Sequence, residues 1–498
     1  MSDSQDHSDA PSDSSPEQLP QATSPKGKTA DNTLKSKVVK GGLYLTLRQL
    51  VSVGLSILSI LVIARKLGTD NYGILVNALG IFYFIIWTGK LGLHVYLIQQ
   101  KDLPKDAPEQ VLAFFNVLSL GFAIALFFLA PVIWRDAPAV ASLVQWLPLP
   151  IATELAASVS IAMLERRLAF GEVGFIEILA QIANYLVALP LVLRGASYWG
   201  PIAGLCVRGV VMLCLAQYFC RVALRLRWRW PFLKAALRYG LTFSMSHWVM
   251  SLRALTIPFV VTPIAGFEAA GLVSIAIRLA EQLSTLRMVI RRMSISVMAK
   301  LTENAAAVRK TVSRGMAYQA LLIGSVCSMF ACLDSWVVPL LFGNDWIQST
   351  LIFPLVALAA MVRAMFDLHA GALYAIDRNA EVTKAYVVYI VLLWMGCVLL
   401  LPQLSLWGYG LAELLTIFSN ILLHRSLATI YGNPDYTAAV WLTLAAMLPI
   451  VGSLVSPVLG IAAFVLSYAV VFLLVPVVRA VPVELIQSLR SRRRSKAA

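Results

Sequence analysis

The chain has 498 residues, of which 59% are hydrophobic and only 13% are charged, and its mean hydropathy is +0.76. This composition excludes an ordinary soluble globular protein and predicts an all-α, polytopic membrane protein. The formal net charge of +15 could suggest nucleic-acid binding. Because Lys and Arg concentrate in the cytoplasmic loops of membrane proteins, however, we predict membrane lipids and no nucleic acid as partners.

The first segment, residues 1–35, consists mainly of small and polar residues. It has too few large apolar side chains to form a core, so we expect a disordered cytoplasmic tail. Its acidic beginning is unlike a signal peptide. Several lysines, up to Lys40, directly precede the first apolar run and mark the cytoplasmic side.

Fourteen apolar segments follow that are long enough to cross a bilayer, which takes about 20 residues as a helix. They are residues 40–65, 71–98, 110–133, 138–163, 172–193, 198–219, 240–264, 267–290, 314–341, 349–375, 383–401, 405–424, 437–456 and 459–478. If the spans alternate from an inside N-terminus, the only cations of the outer turns are Arg65, Lys66, Arg135 and Arg194. Cations favour the cytoplasmic side, so both termini are predicted to be cytoplasmic.

The opening hairpin, residues 40–90, recurs later in the chain at an offset of 198 positions. Gly68 falls on Gly266 and Gly73 on Gly271. Internal duplication is typical of transporters that hold the substrate between two halves, although glycines could also coincide by chance in a chain that has 29 of them. The predicted units are a tail (1–35), a six-helix lobe (36–220), an inter-lobe linker (221–239), a second six-helix lobe (240–430), two further helices (431–480) and a basic cytoplasmic tail (481–498).

The sequence offers no familiar catalytic or cofactor motif. It contains no phosphate-binding glycine loop, no zinc-protease motif and no nucleophile elbow, and its five histidines lack ligand spacing. The six cysteines lie in or beside apolar runs and are interpreted as small packing residues. We therefore predict a protein that is not an enzyme and that holds no cofactor and no metal.

Charges inside the spans are the strongest functional signal, because each costs roughly 3 kcal/mol on insertion scales. Arg48 and Arg253 lie on the first helix of each lobe without an acid on the same helix. Guanidinium groups suit phosphate, so these cations predict an anion-selecting cavity between the lobes. The candidate substrate-binding residues are Arg48, Arg253, Arg278, Lys90 and Arg287.

Other intramembrane charges have structural explanations. Arg363 could pair with Asp367 one turn along its helix, and Arg278 with Glu281. Arg208 could pair with Glu177 or Glu154 on neighbouring spans. Asp334 and Glu413 have no obvious partner on their own helices and are candidates for ion coupling. Pro258 and Pro263 predict a bend in the seventh span.

The opening hairpin GGLYLTLRQLVSVGLSILSILVIARKLGTDNYGILVNALGIFYFI, with GKLGL at 89–93 and LIQQ at 97–100, resembles the polysaccharide-transporter or O-antigen flippase family. That family belongs to the superfamily of multidrug, oligosaccharidyl-lipid and polysaccharide exporters. The resemblance implies two six-helix lobes that face each other in a V, followed by two trailing helices. Fourteen spans match the lipid-linked peptidoglycan-precursor flippases better than the twelve common among O-antigen flippases.

The resemblance also implies a function. The substrate would be an undecaprenyl-pyrophosphate-linked oligosaccharide, moved from the inner to the outer leaflet of the bacterial plasma membrane by alternating access. The pyrophosphate would bind at Arg48, Arg253 and Arg278. A polysaccharide polymerase and a chain-length regulator would be the protein partners.

Two alternatives stay open at this point. An ion-coupled multidrug or organic-cation antiporter shares the superfamily but would need acids unmatched by cations, for which Asp334 and Glu413 are the candidates. A membrane glycosyltransferase or polymerase would need a large outer loop or an acidic catalytic pair, and neither is visible.

Overall fold

The computed structural model describes the backbone of residues 26–223, 225, 228–285, 298 and 301–484. Side chains are described from residue 54 onwards within these ranges, apart from residue 243. Every regular element in this part of the chain is a helix. The helices are α1 (Lys26–Gly89), α2 (Leu93–Gln99), α3 (Ala107–Ile133), α4 (Pro138–Trp146), α5 (Pro148–Arg166), α6 (Phe170–Leu193), α7 (Trp199–Phe219), α8 (Trp230–Ser251), α9 (Thr262–Leu283), α10 (Ala305–Phe342), α11 (Ser349–Tyr374), α12 (Asn379–Leu404), α13 (Leu406–Leu415), α14 (Asn420–Tyr431), α15 (Thr437–Val455) and α16 (Pro457–Leu474).

Twelve helical segments of the described chain are long and apolar enough to cross a membrane. The protein is thus a multi-pass membrane protein, but the predicted count of fourteen is not confirmed. The two counts differ at the two hairpins. The first hairpin forms one segment, Gly54–Gln99, and the second contributes only Ile257–Leu283. The helix before it, α8, is not among the twelve.

The two hairpins bend at equivalent glycines. Gly68, inside α1, has φ 71° and ψ 177°, and Gly266, inside α9, has φ 83° and ψ −179°. A side chain would strain either position, because positive φ favours glycine. The same irregular conformation 198 residues apart agrees with the predicted repeat. We call the end of the bundle that holds these bends the outer end, after the loop-charge prediction, and the opposite end the inner end.

At the outer end the two hairpins touch through reciprocal glycines, which we call the outer glycine contact. A Cβ on Gly73 would lie 1.9 Å from the carbonyl oxygen of Phe267, and one on Gly271 would lie 2.3 Å from that of Thr69. Phe267 follows Thr69 by the same 198 positions that separate the two glycines. The contact is therefore pseudo-symmetric, and only residues without a side chain allow the backbones to approach so closely.

The hairpins also meet at the inner end, in what we call the inner glycine contact. Gly92 has φ 69°, and a Cβ there would lie 2.5 Å from the carbonyl oxygen of Gly240. A Cβ on Gly240 would lie 2.1 Å from the carbonyl oxygen of Leu91. Beside it, the Tyr239 hydroxyl donates a hydrogen bond to the Gln99 side-chain oxygen. The part of α1 after Gly68 is about 32 Å long, so the lobes touch near both ends of one membrane crossing.

The predicted unit boundaries fall at several places in this fold. α1 begins at Lys26, within the predicted N-terminal tail, and α8 begins at Trp230, within the predicted linker. Residues 1–25 and 485–498 lie outside the described part of the chain. The last two helices, α15 and α16, pack against each other and against α10. The division into lobes and tails stays a prediction, and the names first lobe and second lobe denote only residues 36–220 and 240–430.

Candidate functional site

A buried carboxylate lies at the centre of the main charged cluster of the second lobe. Glu413, on α13, is 0% exposed. Its carboxylate accepts hydrogen bonds from Arg253 Nη2 at 2.6 Å, Arg363 Nη1 at 3.3 Å, the Tyr409 hydroxyl at 2.9 Å and the Tyr389 hydroxyl at 3.3 Å. These donors compensate for the cost of removing a carboxylate from water. We call Glu413 and its four donors the Glu413 cluster.

An irregular backbone segment brings Arg253 to this cluster. Between α8 and α9 the chain forms a 3₁₀ turn, Leu252–Leu255, and then a π-helical turn, Ile257–Val261. Pro258 has no N–H to donate and cannot continue a regular helix, so the backbone departs from α geometry just where the proline predicts a bend. Gly80 of α1 packs here, because a Cβ on it would lie 2.5 Å from the Ala254 carbonyl oxygen.

Arg253 connects the cluster to α9. Its Nη1 atom lies 2.9 Å from Glu281 Oε1, and the Glu281 side chain is 48% exposed. Its own side chain is 15% exposed, and its Nε–H has no hydrogen-bond partner within the described structure. Arg253 thus retains one unsatisfied buried donor although both of its terminal nitrogens are engaged.

Arg363 is fixed by an aromatic neighbour as well as by Glu413. Its Nη1 donates to the Tyr389 hydroxyl at 2.6 Å, and its guanidinium carbon lies 5.4 Å from the centre of the Tyr389 ring. Such cation–π contacts favour a planar guanidinium. Arg363 therefore pairs with Glu413 across helices, and the expected pairing with Asp367 on the same helix is not formed within ion-pair distance.

Arg278 differs from the other two arginines. It lies on α9, one turn before Glu281, but Glu281 is paired with Arg253. The Arg278 guanidinium forms no ion pair with a described residue. It interacts electrostatically with Glu281 on its own helix and with three tyrosines of the first lobe, Tyr72, Tyr83 and Tyr185. Arg278 therefore presents a cation without a direct ion pair among the described residues, on the side of α9 that faces the first lobe.

The first lobe contains a looser counterpart of the Glu413 cluster. Glu154 on α5 is 9% exposed, and it lies 3.9 Å from Lys90 and 3.6 Å from Arg208 of α7. Of the two partners considered for Arg208, the structure selects Glu154. In each lobe a buried glutamate thus joins two cations from distant parts of the chain.

The structure brings together only some of the predicted site residues. Arg253 and Glu413 are in direct contact, and Arg278 lies one helical turn from their neighbour Glu281. Lys90 belongs to the separate Glu154 group. Asp334, on α10, is 5% exposed, and its Oδ2 has no hydrogen-bond partner in the described region. The side chain of Arg48 and the whole of Arg287 lie outside the described residues.

Sequence reasoning did not select three residues of the cluster, Arg363, Tyr389 and Tyr409. A signal was present for Arg363, because Glu413 had no partner on its own helix and needed a cation from another span. Nothing in the spacing of the two tyrosines distinguished them from the other aromatic residues of the spans.

Comparison with known proteins decides the family. Residues 62–351, more than half of the chain, match the family described as polysaccharide biosynthesis protein. The chain belongs to this family. The resemblance noted in the opening hairpin is thereby confirmed, and the protein is a membrane transporter of polysaccharide biosynthesis.

Two relatives support this membership. This polysaccharide biosynthesis protein is 23% identical to the lipopolysaccharide biosynthesis protein WzxC of Escherichia coli (strain K12) over 450 residues, which cover 86% of this chain and 89% of that protein. It is 26% identical to the succinoglycan biosynthesis transport protein ExoT of Rhizobium meliloti (strain 1021) over 162 residues, or 32% of this chain and 33% of that protein.

Solved structures show the same fold. The polysaccharide biosynthesis protein superposes on the lipid II flippase MurJ in an inward closed conformation with a TM-score of 0.63 at 10% identity, covering 86% of this chain and 98% of that one. For an inward-facing multidrug resistance MATE transporter of the MOP superfamily the TM-score is 0.54 at 15% identity, and the coverages are 84% and 99%. At these identities the similarity establishes the fold alone.

Proposed function

We propose that the protein is a flippase that moves undecaprenyl-pyrophosphate-linked oligosaccharide from the inner to the outer leaflet of the bacterial plasma membrane. The observation that carries the proposal is the guanidinium of Arg278 at the boundary between the lobes, which has no ion pair within 4.0 Å among the described residues. A pyrophosphate is the anionic part of such a substrate, and guanidinium groups bind phosphate through paired donors.

The charge balance around this position favours an anion. Arg253, Arg278 and Arg363 supply three positive charges, and Glu281 and Glu413 supply two negative ones. The Glu413 carboxylate already accepts from both of its arginines, so it orients them and leaves little capacity to bind a coupling cation. In this proposal Arg278 contacts the pyrophosphate directly, and the unsatisfied Nε–H of Arg253 provides a second donor.

Alternating access supplies the transport step of the proposal. The lobes touch at the outer and the inner glycine contacts, and transport in this scheme requires that one contact opens while the other stays closed. The irregular segment around Pro258 lies between the two contacts and is where we propose that the backbone bends. The relatives' names, lipopolysaccharide and succinoglycan biosynthesis, support a saccharide substrate.

The remaining parts of the proposal follow from the same family. We infer a location in the bacterial inner membrane with both termini in the cytoplasm, and transport without enzymatic turnover, cofactor or metal. A polysaccharide polymerase and a chain-length regulator are the proposed protein partners, and the lipid-linked oligosaccharide is the substrate.

An ion-coupled multidrug antiporter is the second candidate. The observation in its favour is Asp334, a buried acid with a carboxylate oxygen that lacks a hydrogen-bond partner among the described residues. Such a carboxyl group within a transmembrane helix is typical of proton-coupled transport. It is ranked second because the arginines at the lobe boundary would repel an organic cation.

The decisive variant for the substrate site is Arg278→Ala. Loss of a hydrogen bond to a charged group costs about 1.5–3 kcal/mol, so the rate of flipping of labelled undecaprenyl-pyrophosphate oligosaccharide in proteoliposomes should fall roughly 10- to 100-fold. Arg194→Ala, which removes an exposed cation from a loop, serves as the matched control. Equal rates for both variants at equal insertion would show that Arg278 does not bind the substrate.

A further inference from the structure

A second basic region lies at the inner end, away from the Glu413 cluster. Here a cavity of about 760 Å³ opens between the beginning of α8 and the turn that joins α11 to α12. Its lining includes Lys234, Arg238, Tyr239, Thr242, Asp377 and Asn379. Lys234 precedes Arg253 by 19 positions, or about 30 Å of helix, so the cavity is a separate site.

One wall of the cavity is positively charged. Lys234 and Arg238 are four residues apart on α8 and therefore lie on the same face of the helix. Both are exposed, and neither forms an ion pair with a described residue. The opposite wall contributes the carboxylate of Asp377 and the amide of Asn379. The lining thus has an excess of one positive charge and several neutral hydrogen-bonding groups.

The same face of α8 becomes apolar towards the membrane interior. Leu241 and Met245 continue the row of Lys234 and Arg238 at helical spacing, and they are 41% and 58% exposed. An exposed row that is cationic at one end and apolar at the other is complementary to a lipid with an anionic headgroup and an acyl chain.

Two tryptophans place the charged end of this row at the level of the headgroups. Trp228 and Trp230, just before and at the start of α8, are 48% and 56% exposed. Exposed tryptophans concentrate at the membrane–water interface. Lys234 lies about 6 Å further along the helix than Trp230, within reach of lipid phosphates.

We propose that this cavity binds an anionic phospholipid of the inner leaflet. Lys234 and Arg238 contact its phosphate, and an acyl chain lies along Leu241 and Met245. Tyr239 connects the site to transport, because it lines the cavity, donates to Gln99 of α2 and directly precedes Gly240 of the inner glycine contact. A bound lipid would thus stabilise α8 in the position in which the inner glycine contact is closed.

Lipid binding can be tested without any transport assay, so its outcome is independent of the proposed function. The full-length protein is placed in phosphatidylcholine nanodiscs with graded phosphatidylglycerol, and the retained phosphatidylglycerol is counted by native mass spectrometry. Each cation near an anionic lipid contributes about a factor of five in affinity. Lys234→Ala/Arg238→Ala should therefore bind phosphatidylglycerol roughly 30-fold more weakly than the native protein.

Two further variants make this result specific. The charge-preserving exchange Lys234→Arg/Arg238→Lys should retain binding. Arg221→Ala/Arg225→Ala removes two exposed cations from the inter-lobe segment outside the cavity and should also retain it. Equal loss in the two alanine double variants would overturn the proposal, because it would indicate diffuse attraction. Retention of undecaprenyl pyrophosphate but not of phosphatidylglycerol would also overturn it, because the cavity would then bind the substrate.

Discussion

Replacement of Glu413 by alanine is expected to lower the free energy of unfolding by about 3–5 kcal/mol, which is the cost of removing one partner of a buried ion pair. The variant leaves the guanidinium groups of Arg253 and Arg363 in the same buried site without their shared counter-charge. Two tyrosine hydroxyls also lose their acceptor. The measurement is denaturant- or heat-induced unfolding of the purified protein in detergent.

The matched control for this prediction is Glu381→Ala. Glu381 also forms an ion pair, 3.0 Å from Lys384, but the Lys384 side chain is 66% exposed. Exposed ion pairs contribute about 0–1 kcal/mol, so this control should unfold nearly as the native protein does. Similar losses of stability in Glu381→Ala and Glu413→Ala would contradict the assigned role of the buried cluster.

Gly73→Val is expected to abolish transport. A Cβ at this position would lie 1.9 Å from the Phe267 carbonyl oxygen, which is backbone and cannot turn aside. The outer glycine contact could not close, and a transporter that needs this closure would stop in one state. The first measurement is the rate of flipping in proteoliposomes. The second is the rate at which a membrane-impermeant reagent labels the Thr69→Cys variant, which should rise when Gly73→Val is also present.

Gly121→Val provides the comparison for Gly73→Val. Gly121 lies within α3 and has no atom within 4 Å of its hypothetical Cβ. Both substitutions introduce the same β-branched residue into a helix, so they share its small local cost. Transport by Gly73→Val at the level of Gly121→Val would show that closure of the outer contact is not required.

Much of the fold was readable from the sequence because its signals are local. Apolar runs of sufficient length predicted the helices, and the spacing of Gly68 and Gly266 predicted two equivalent bends that have nearly the same backbone angles. The count of fourteen spans is not confirmed, because the first hairpin forms one continuous segment and α8 is not among the twelve segments of the described chain. α8 has polar residues such as Lys234 and His247 and is not apolar enough to be counted by itself.

The candidate site was only partly readable, because its contacts join distant parts of the chain. Arg253 and Glu413 were selected separately, one for the substrate and the other for an ion, but they are 160 positions apart and bind each other. For the same reason Arg363 pairs with Glu413 on another helix instead of Asp367, and Glu281 pairs with Arg253 instead of Arg278. Spacing along one helix shows which partners are available, whereas tertiary packing decides which of them are used.

The most direct test of the proposed function measures the substrate of the native protein. Proteoliposomes would be loaded with labelled undecaprenyl-pyrophosphate oligosaccharide or, in parallel, challenged with a cationic dye under an imposed proton gradient. We predict translocation of the lipid-linked oligosaccharide and no accumulation of the dye. Gradient-driven accumulation of the dye without movement of the lipid-linked oligosaccharide would contradict the flippase proposal and favour the antiporter.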